Sequence, residues 1–225
     1  MVRGMGSLNT IIEFEGPVVD VRRRWWAAHK AAAAAIGLDG PPEDEFWRLV
    51  RKGSPDGMIM RHARPHQLLE YTRIRTEQQD STALMALDEP QPALKENLRV
   101  LKQLGTCRLI TTCRNQEGIN ATLDRLDVWM CFERRIILPE DRNRRLSLLR
   151  ELAAGYPSTL AIVGSVPVAL AAANAGCRCV GLKEGLAYPN NLRQVGVDAF
   201  FDTLDALTDA VISRHADLQR IGLHF

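Results

Sequence analysis

Thr10-Ile11-Ile12-Glu13-Phe14-Glu15-Gly16-Pro17-Val18-Val19-Asp20 is the stretch on which the reading of this chain turns. A short apolar run leads into two carboxylates on alternate residues and then into a Gly-Pro turn. Side chains in a strand alternate with a period of two, so Glu13 and Glu15 are expected on one side at the strand's C-terminal end. In open α/β sheets, ligands bind outside the carboxyl ends of the strands, so acidic groups gathered there suit a reaction site. The plainer reading is a pair of polar residues closing a strand.

Working outward, six short apolar runs bounded by turn residues predict strands: Thr10–Phe14, Cys107–Thr112, Arg134–Leu138, Thr159–Val163, Cys177–Leu182 and Val197–Phe201. From Cys107 onward, strand and helix patterns alternate. Parallel neighbours need a crossover, and a helix supplies it, so the expected class is α/β: a Rossmann-like parallel sheet with helices on both faces. Between Asp20 and about Leu104 the pattern is helical instead, near Arg22–Ile36, Glu43–Lys52, His66–Gln79 and Ala93–Leu104. Gly37-Leu38-Asp39-Gly40-Pro41-Pro42 and Asp88-Glu89-Pro90-Gln91-Pro92 punctuate these helices with turn chemistry.

Composition narrows the function classes. The 225 residues suffice for a full core, and 46% apolar with 25% charged residues is ordinary for a globular protein. A net charge of +2 lacks the strong basic bias of a nucleic-acid binder. Five cysteines, odd in number and without a C-x-x-C pair, indicate neither a disulfide framework nor a zinc site. No apolar stretch is long enough to span a bilayer, and the expectation is a cytoplasmic protein without membrane or nucleic-acid partners. His62 and His66 are four apart, but Pro65 intervenes and no third ligand is evident, so a metal site there is not expected.

Three later segments join the opening one. Arg108-Leu109-Ile110-Thr111-Thr112-Cys113 is a strand ending in threonines, followed by a helix pattern from Asn115 to Leu126. Pro139-Glu140-Asp141-Arg142-Asn143-Arg144-Arg145 is a polar, arginine-rich stretch before the next strand. Ile162-Val163-Gly164-Ser165-Val166-Pro167 ends a strand in glycine and opens another helix. Taken in order, with the helical block after the first strand, these segments resemble the haloacid dehalogenase (HAD)-like hydrolase superfamily. The helical block is similar to the cap of the branch that includes phosphoglycolate phosphatase and β-phosphoglucomutase. The resemblance implies a core domain of residues 1–20 and 91–225 and an inserted all-helical cap of 21–90.

The resemblance also implies residue roles. Glu13 stands where the family has its nucleophilic Asp, and Glu15 where it has the Asp that serves as general acid and base. Pro17 replaces the usual Thr. Thr112 falls on the position whose hydroxyl holds a phosphate oxygen, with Cys113 beside it, and Arg144 or Arg145 precedes the next strand where the family has a Lys. Ser165 stands near the position of the acids that hold Mg²⁺, and both acids are missing. Each extra methylene moves a carboxylate by roughly 1.3 to 1.5 Å, and a misplacement of about 1 Å can reduce rate on the order of 100-fold. Arginine keeps a lysine's charge without its point geometry.

The catalytic stations Glu13, Glu15, Thr112 and Arg145 are therefore expected to be impaired, because such parts act as a unit. The favoured expectation is a protein that has lost phosphatase activity. It would bind a phosphorylated or other anionic small molecule through Thr112, Cys113, an arginine from 142, 144 or 145, and Arg24 near the cap entrance. The alternatives are a divergent phosphatase acting through Glu13 and Glu15, and a non-catalytic scaffold. No cofactor is expected, with Mg²⁺ required only if the chain is active. Purely structural roles remain open for Thr112, for the arginines as a solvated face, and for Arg22-Arg23-Arg24 as a water-facing side of a helix that buries Trp25 and Trp26. Trp25, Trp26 and Trp47 would suit a homodimer through the cap.

Overall fold

The computed structural model describes residues 8–156 and 158–213. The chain opens with strand β1 (Leu8–Glu13) and the two-residue strand β2 (Val19–Asp20), then runs through helices α1 (Arg22–Ala35), α2 (Glu43–Lys52), α3 (Asp56–Ile59), α4 (Pro65–Gln79) and α5 (Thr82–Met85). It returns through β3 (Glu89–Pro90) and α6 (Leu94–Leu104) to β4 (Gly105–Thr111), α7 (Gln116–Arg125), β5 (Arg134–Ile137) and α8 (Arg142–Ala153). Strand β6 (Thr159–Val163), α9 (Val166–Asn174), β7 (Arg178–Leu182), α10 (Pro189–Gln194), β8 (Ala199–Phe201) and α11 (Leu204–Ser213) follow.

Six strands form one parallel sheet in the order β5-β4-β1-β6-β7-β8. Period-two alternation sends neighbouring side chains to opposite faces. Ile12, Leu109, Leu160, Ile162 and Val180 pack with α6, α7 and α11 on one side. Ile11, Ile110, Ala161, Val163 and Cys179 pack with α8, α9 and α10 on the other. The sheet is thus covered on both faces, as the near-continuous apolar runs require. All five cysteines are free and buried in or beside these layers.

The sheet winds outward from β1 through β4 to β5, then crosses back over β1 to β6 and winds the other way. That crossing makes the C-terminal ends of β1 and β6 the topological switch point, where open α/β sheets leave a crevice. The helices α1 to α4 form a separate layer with its own core of Ala32, Phe46, Leu49, Ile59 and Tyr71, while α5 packs through Met85 on the main core beside α7. The chain crosses to this layer and returns through a small antiparallel ribbon in which Val19 pairs with Pro90 and Asp20 with Glu89. Sequence patterning gave no strand between Asp20 and Leu104, and the ribbon is the exception; two residues are too few to show a period. Among the described residues, no helix is long and apolar enough to cross a membrane.

Candidate functional site

Glu13 is the last residue of β1, and Gly164 and Ser165 directly follow β6, so the switch point brings them together. The buried Glu13 carboxylate accepts the Gly164 N–H at 2.7 Å and the Ser165 N–H at 3.1 Å on Oε2, and the Ser165 hydroxyl at 2.6 Å on Oε1. Ser165 is the N-cap of α9 but makes no cap bond with its own side chain. Glu13 therefore caps that helix from across the sheet, satisfying N–H groups that a helix start leaves open and placing negative charge at the positive end of its dipole. Burial pushes the Glu13 carboxyl up to about 7, against the lowering effect of these hydrogen bonds.

Glu15 turns the other way. Its Oε1 accepts from Arg24 Nη2 at 2.7 Å, and its Oε2 accepts the Thr112 hydroxyl at 3.2 Å. Arg24, on the first turn of α1, has a fully buried side chain and also lies 3.0 Å from Asp88 through Nε, off the hydrogen-bonding line. Its Nη1 donates to the Gln79 carbonyl at 3.0 Å. Burial opposes the guanidinium's charge, yet Glu15 and Asp88 hold its pKa above the ordinary value. Asp88 is pushed up to about 7 by burial, with Arg24 pulling the other way. Arg24 thus joins the loop after β1, the end of α4 and the return crossing. It is neither in water nor free for a ligand. Its neighbours in sequence do face water: Arg22 pairs with Asp20, and Arg23 with Glu89.

At the end of β4 the donors are also occupied. The Cys113 N–H goes to the Thr111 hydroxyl at 3.0 Å, and the Arg114 N–H to the Asp80 carboxylate at 3.2 Å. Asn115 caps α7 by accepting the Gly118 N–H at 2.9 Å, and its amide donates to the Asp80 carbonyl at 2.7 Å. Cys113 is buried with its sulfur 3.9 Å from that of Met85, and burial pushes its thiol up to about 12. A thiol so placed has little thiolate character at neutral pH.

The arginine candidates lie apart from the two glutamates' contacts. Arg145 donates to the Pro139 carbonyl at 3.1 Å and the Glu140 carbonyl at 3.2 Å, bracing its own loop. Arg142 and Arg144 are exposed on the first turn of α8, where Asp141 caps the helix through the Arg144 N–H at 2.8 Å. The structure thus brings Glu13 to Ser165 and joins Glu15, Thr112 and Arg24, but bonds none of them to Arg144 or Arg145.

A Mg²⁺ ion, which the fold family implies, does not fit these residues. Such an ion needs hard oxygens anchored by carboxylates. Both Glu13 oxygens already face N–H or O–H donors, and those amide hydrogens present positive charge. Among the described residues, no group of three His, Cys, Asp or Glu side chains is arranged to hold a metal.

The loop over the switch point is tightly closed. Gly16 has φ +100°, a conformation that favours glycine, and a Cβ on Gly164 would stand 2.8 Å from the Glu15 carbonyl oxygen and 2.9 Å from Pro17 Cδ. Sequence reasoning missed Asp80 and Asp88, which sit in turn-forming stretches with no local sign of their distant partners.

No known protein family's sequence profile matches the chain, and no curated protein matches it. Solved structures do. A haloacid dehalogenase-like hydrolase family protein from Streptococcus pneumoniae superposes with a TM-score of 0.74 at 13% identity, over 91% of this chain and 98% of that one. A predicted phosphoglycolate phosphatase from Haemophilus somnus 129pt gives 0.72 at 17% identity, over 92% and 100%. A predicted phosphatase from Clostridium acetobutylicum gives 0.70 at 11%, over 93% and 100%. The sheet order, the inserted helices and these superpositions agree: the chain has the haloacid dehalogenase-like hydrolase fold, with its helical cap.

Proposed function

We propose that this chain is a HAD-like protein that has lost phosphatase activity and persists as a binder of a small molecule, held outside the Thr112 station where a phosphorylated or anionic ligand was expected. One observation carries the reading: the donors that would receive a substrate's anion are occupied by the chain's own carboxylates. Glu13 sits on the Gly164 and Ser165 amides, Glu15 on the Thr112 hydroxyl, and Asp80 on the Arg114 amide. A nucleophile whose two oxygens are held by three donors is misdirected for in-line attack on phosphorus, and phosphoryl transfer depends on positioning and charge stabilisation together.

The rival reading, a divergent phosphatase, draws on one feature: a Glu13 carboxyl pushed up to about 7 has a value suited to acid-base work at neutral pH. The two readings part in a phosphate-release assay with p-nitrophenyl phosphate and Mg²⁺. Release no faster than the buffer blank is expected. Turnover that disappears in Glu13→Gln would overturn the proposal in favour of the hydrolase.

A further inference from the structure

Between α2 and the sheet's C-terminal edge lies a cavity of about 260 Å³ that none of Glu13, Glu15, Thr112 or Arg145 lines. Asp44, Trp47, Arg48 and Arg51 form its cap wall, opposite Gly16, Gln91 and the loop Glu184–Tyr188. Those four α2 residues are three or four apart, so they share one face of the helix. An adjoining hollow shares Asp20, Arg22, Asp44 and Trp47 and extends to Arg23, Glu43 and Glu89. The combined cleft is charged unequally along its length. Arg48 and Arg51 stand toward the C-terminal end of α2, Glu43 and Asp44 toward its N-terminal end, and Trp47 lies between them.

Several of these charges are open to a ligand. Glu43 and Asp44 have no ion-pair partner among the described residues, whereas Glu89 is paired with Arg23 and Asp20 with Arg22. Arg48 reaches only Glu45 at 3.4 Å on the surface. Arg51 is held in place: its guanidinium lies 4.6 Å from the centre of the Tyr188 ring, Nη1 lies 3.6 Å from the exposed Glu184 carboxylate, Nη2 donates to the Lys183 carbonyl at 2.5 Å, and Nε has no hydrogen-bond partner. Its backbone carbonyl accepts the Tyr188 N–H at 3.1 Å, so the end of α2 is fixed to the core loop. A phosphate dianion entering this cleft would meet the carboxylates of Asp20, Asp44 and Glu184, and a simple cation would meet the guanidiniums. A ligand with one charge of each sign can match both ends, since Asp20, Glu89 and Glu184 are already paired with Arg22, Arg23 and Arg51 and leave Glu43, Asp44 and Arg48 as the charges to be met. The seven steps of α-helix from Asp44 to Arg51 rise about 10 Å, the span of an extended tripeptide or an ω-amino acid of about eight carbons.

We propose that this seam binds a small zwitterion of about tripeptide size. Its carboxylate faces Arg48 and Arg51, its ammonium faces Glu43 and Asp44, and its chain lies along Trp47. The inference rests on the binding half of the reading above and is indifferent to the loss of turnover.

Calorimetric titration of the full chain with triglycine, trialanine and 8-aminooctanoate tests it, with N-acetylated and C-amidated trialanine and inorganic phosphate as controls. Saturable binding of at least one zwitterion is expected, weakened about tenfold or more when either end charge is removed. Arg48→Gln and Asp44→Asn, both at exposed positions, should each weaken it about fivefold or more while circular dichroism is unchanged. The inference is overturned if no zwitterion binds, if phosphate binds in preference, or if binding survives both substitutions. Phosphatase turnover would sink the loss-of-activity reading and leave this one standing.

Discussion

Glu13 ends β1 one methylene longer than an aspartate would, and that length carries its carboxylate to the amides that open α9. The residue's charge is therefore tied to folding. Its carboxyl ordinarily titrates near 4.5 and is raised to about 7 in the folded chain, chiefly by burial. Between those values the native state holds a proton that the unfolded chain has released, so the Glu13 contribution falls as pH rises through that window and levels off above it. Glu13→Gln lacks this titration. In urea unfolding at pH 5 and pH 8, the stability difference between the two proteins should move in favour of Gln as pH rises, by up to about 3 kcal/mol. A difference that stays constant would mean that Glu13 is ionised at both values. Gly164 gives a second test at this scale. A Cβ there would press on the Glu15 carbonyl and Pro17, so Gly164→Ala should destabilise by about 1–3 kcal/mol, read from the denaturation midpoint.

At the scale of elements, Arg24 fastens α1 to the loop after β1 and to the return crossing near Asp88. Removing one partner of a buried ion cluster leaves the others uncompensated. Arg24→Met should therefore reduce stability by about 3–5 kcal/mol, whereas combining it with Glu15→Gln and Asp88→Asn should recover most of that loss. Chemical denaturation of the single and triple variants measures both, and equal losses would refute the coupling. Hydrogen exchange at the β2–β3 ribbon should quicken in the single variant, because that ribbon is the passage between the two layers. Most of the elements themselves were legible beforehand. The alternating strand and helix patterns located the whole main sheet, and Glu43–Lys52 was bounded as found, with acids in its first turn, bases in its last and Gly53 at its end. Helix α3, helix α5 and the ribbon strands were not legible, since two to four residues complete no period.

Across the whole molecule, the cap is tied to the core by Arg24, by Asp80 at the β4–α7 loop, and by the end of α2 at Tyr188. On the proposed loss of activity, returning single side chains to the family's type should not produce catalysis in such a frame. The double variant Glu13→Asp, Glu15→Asp regains the shorter acids but still lacks the acids after β6 and any cation bonded to the site. Its release of phosphate from p-nitrophenyl phosphate with Mg²⁺ should remain at background. Measurable turnover would show that carboxylate length alone had silenced the site.

The order of strands and helices, and the residues at the positions the resemblance marks, altered in all but Thr112, were fixed by local pattern: hydrophobic period, turn residues and segment order are properties of neighbours in sequence. The use to which the altered residues are put was decided by tertiary contact. Glu13 with Ser165, Glu15 with Thr112, and Arg24 with Asp88 are separated by tens of residues or more. Their pairing depends on which strand ends the sheet order sets side by side and on which charges burial forces to find partners. The same holds for the seam beside Trp47, where residues from four distant segments meet only because the inserted helices fold back over the sheet's edge.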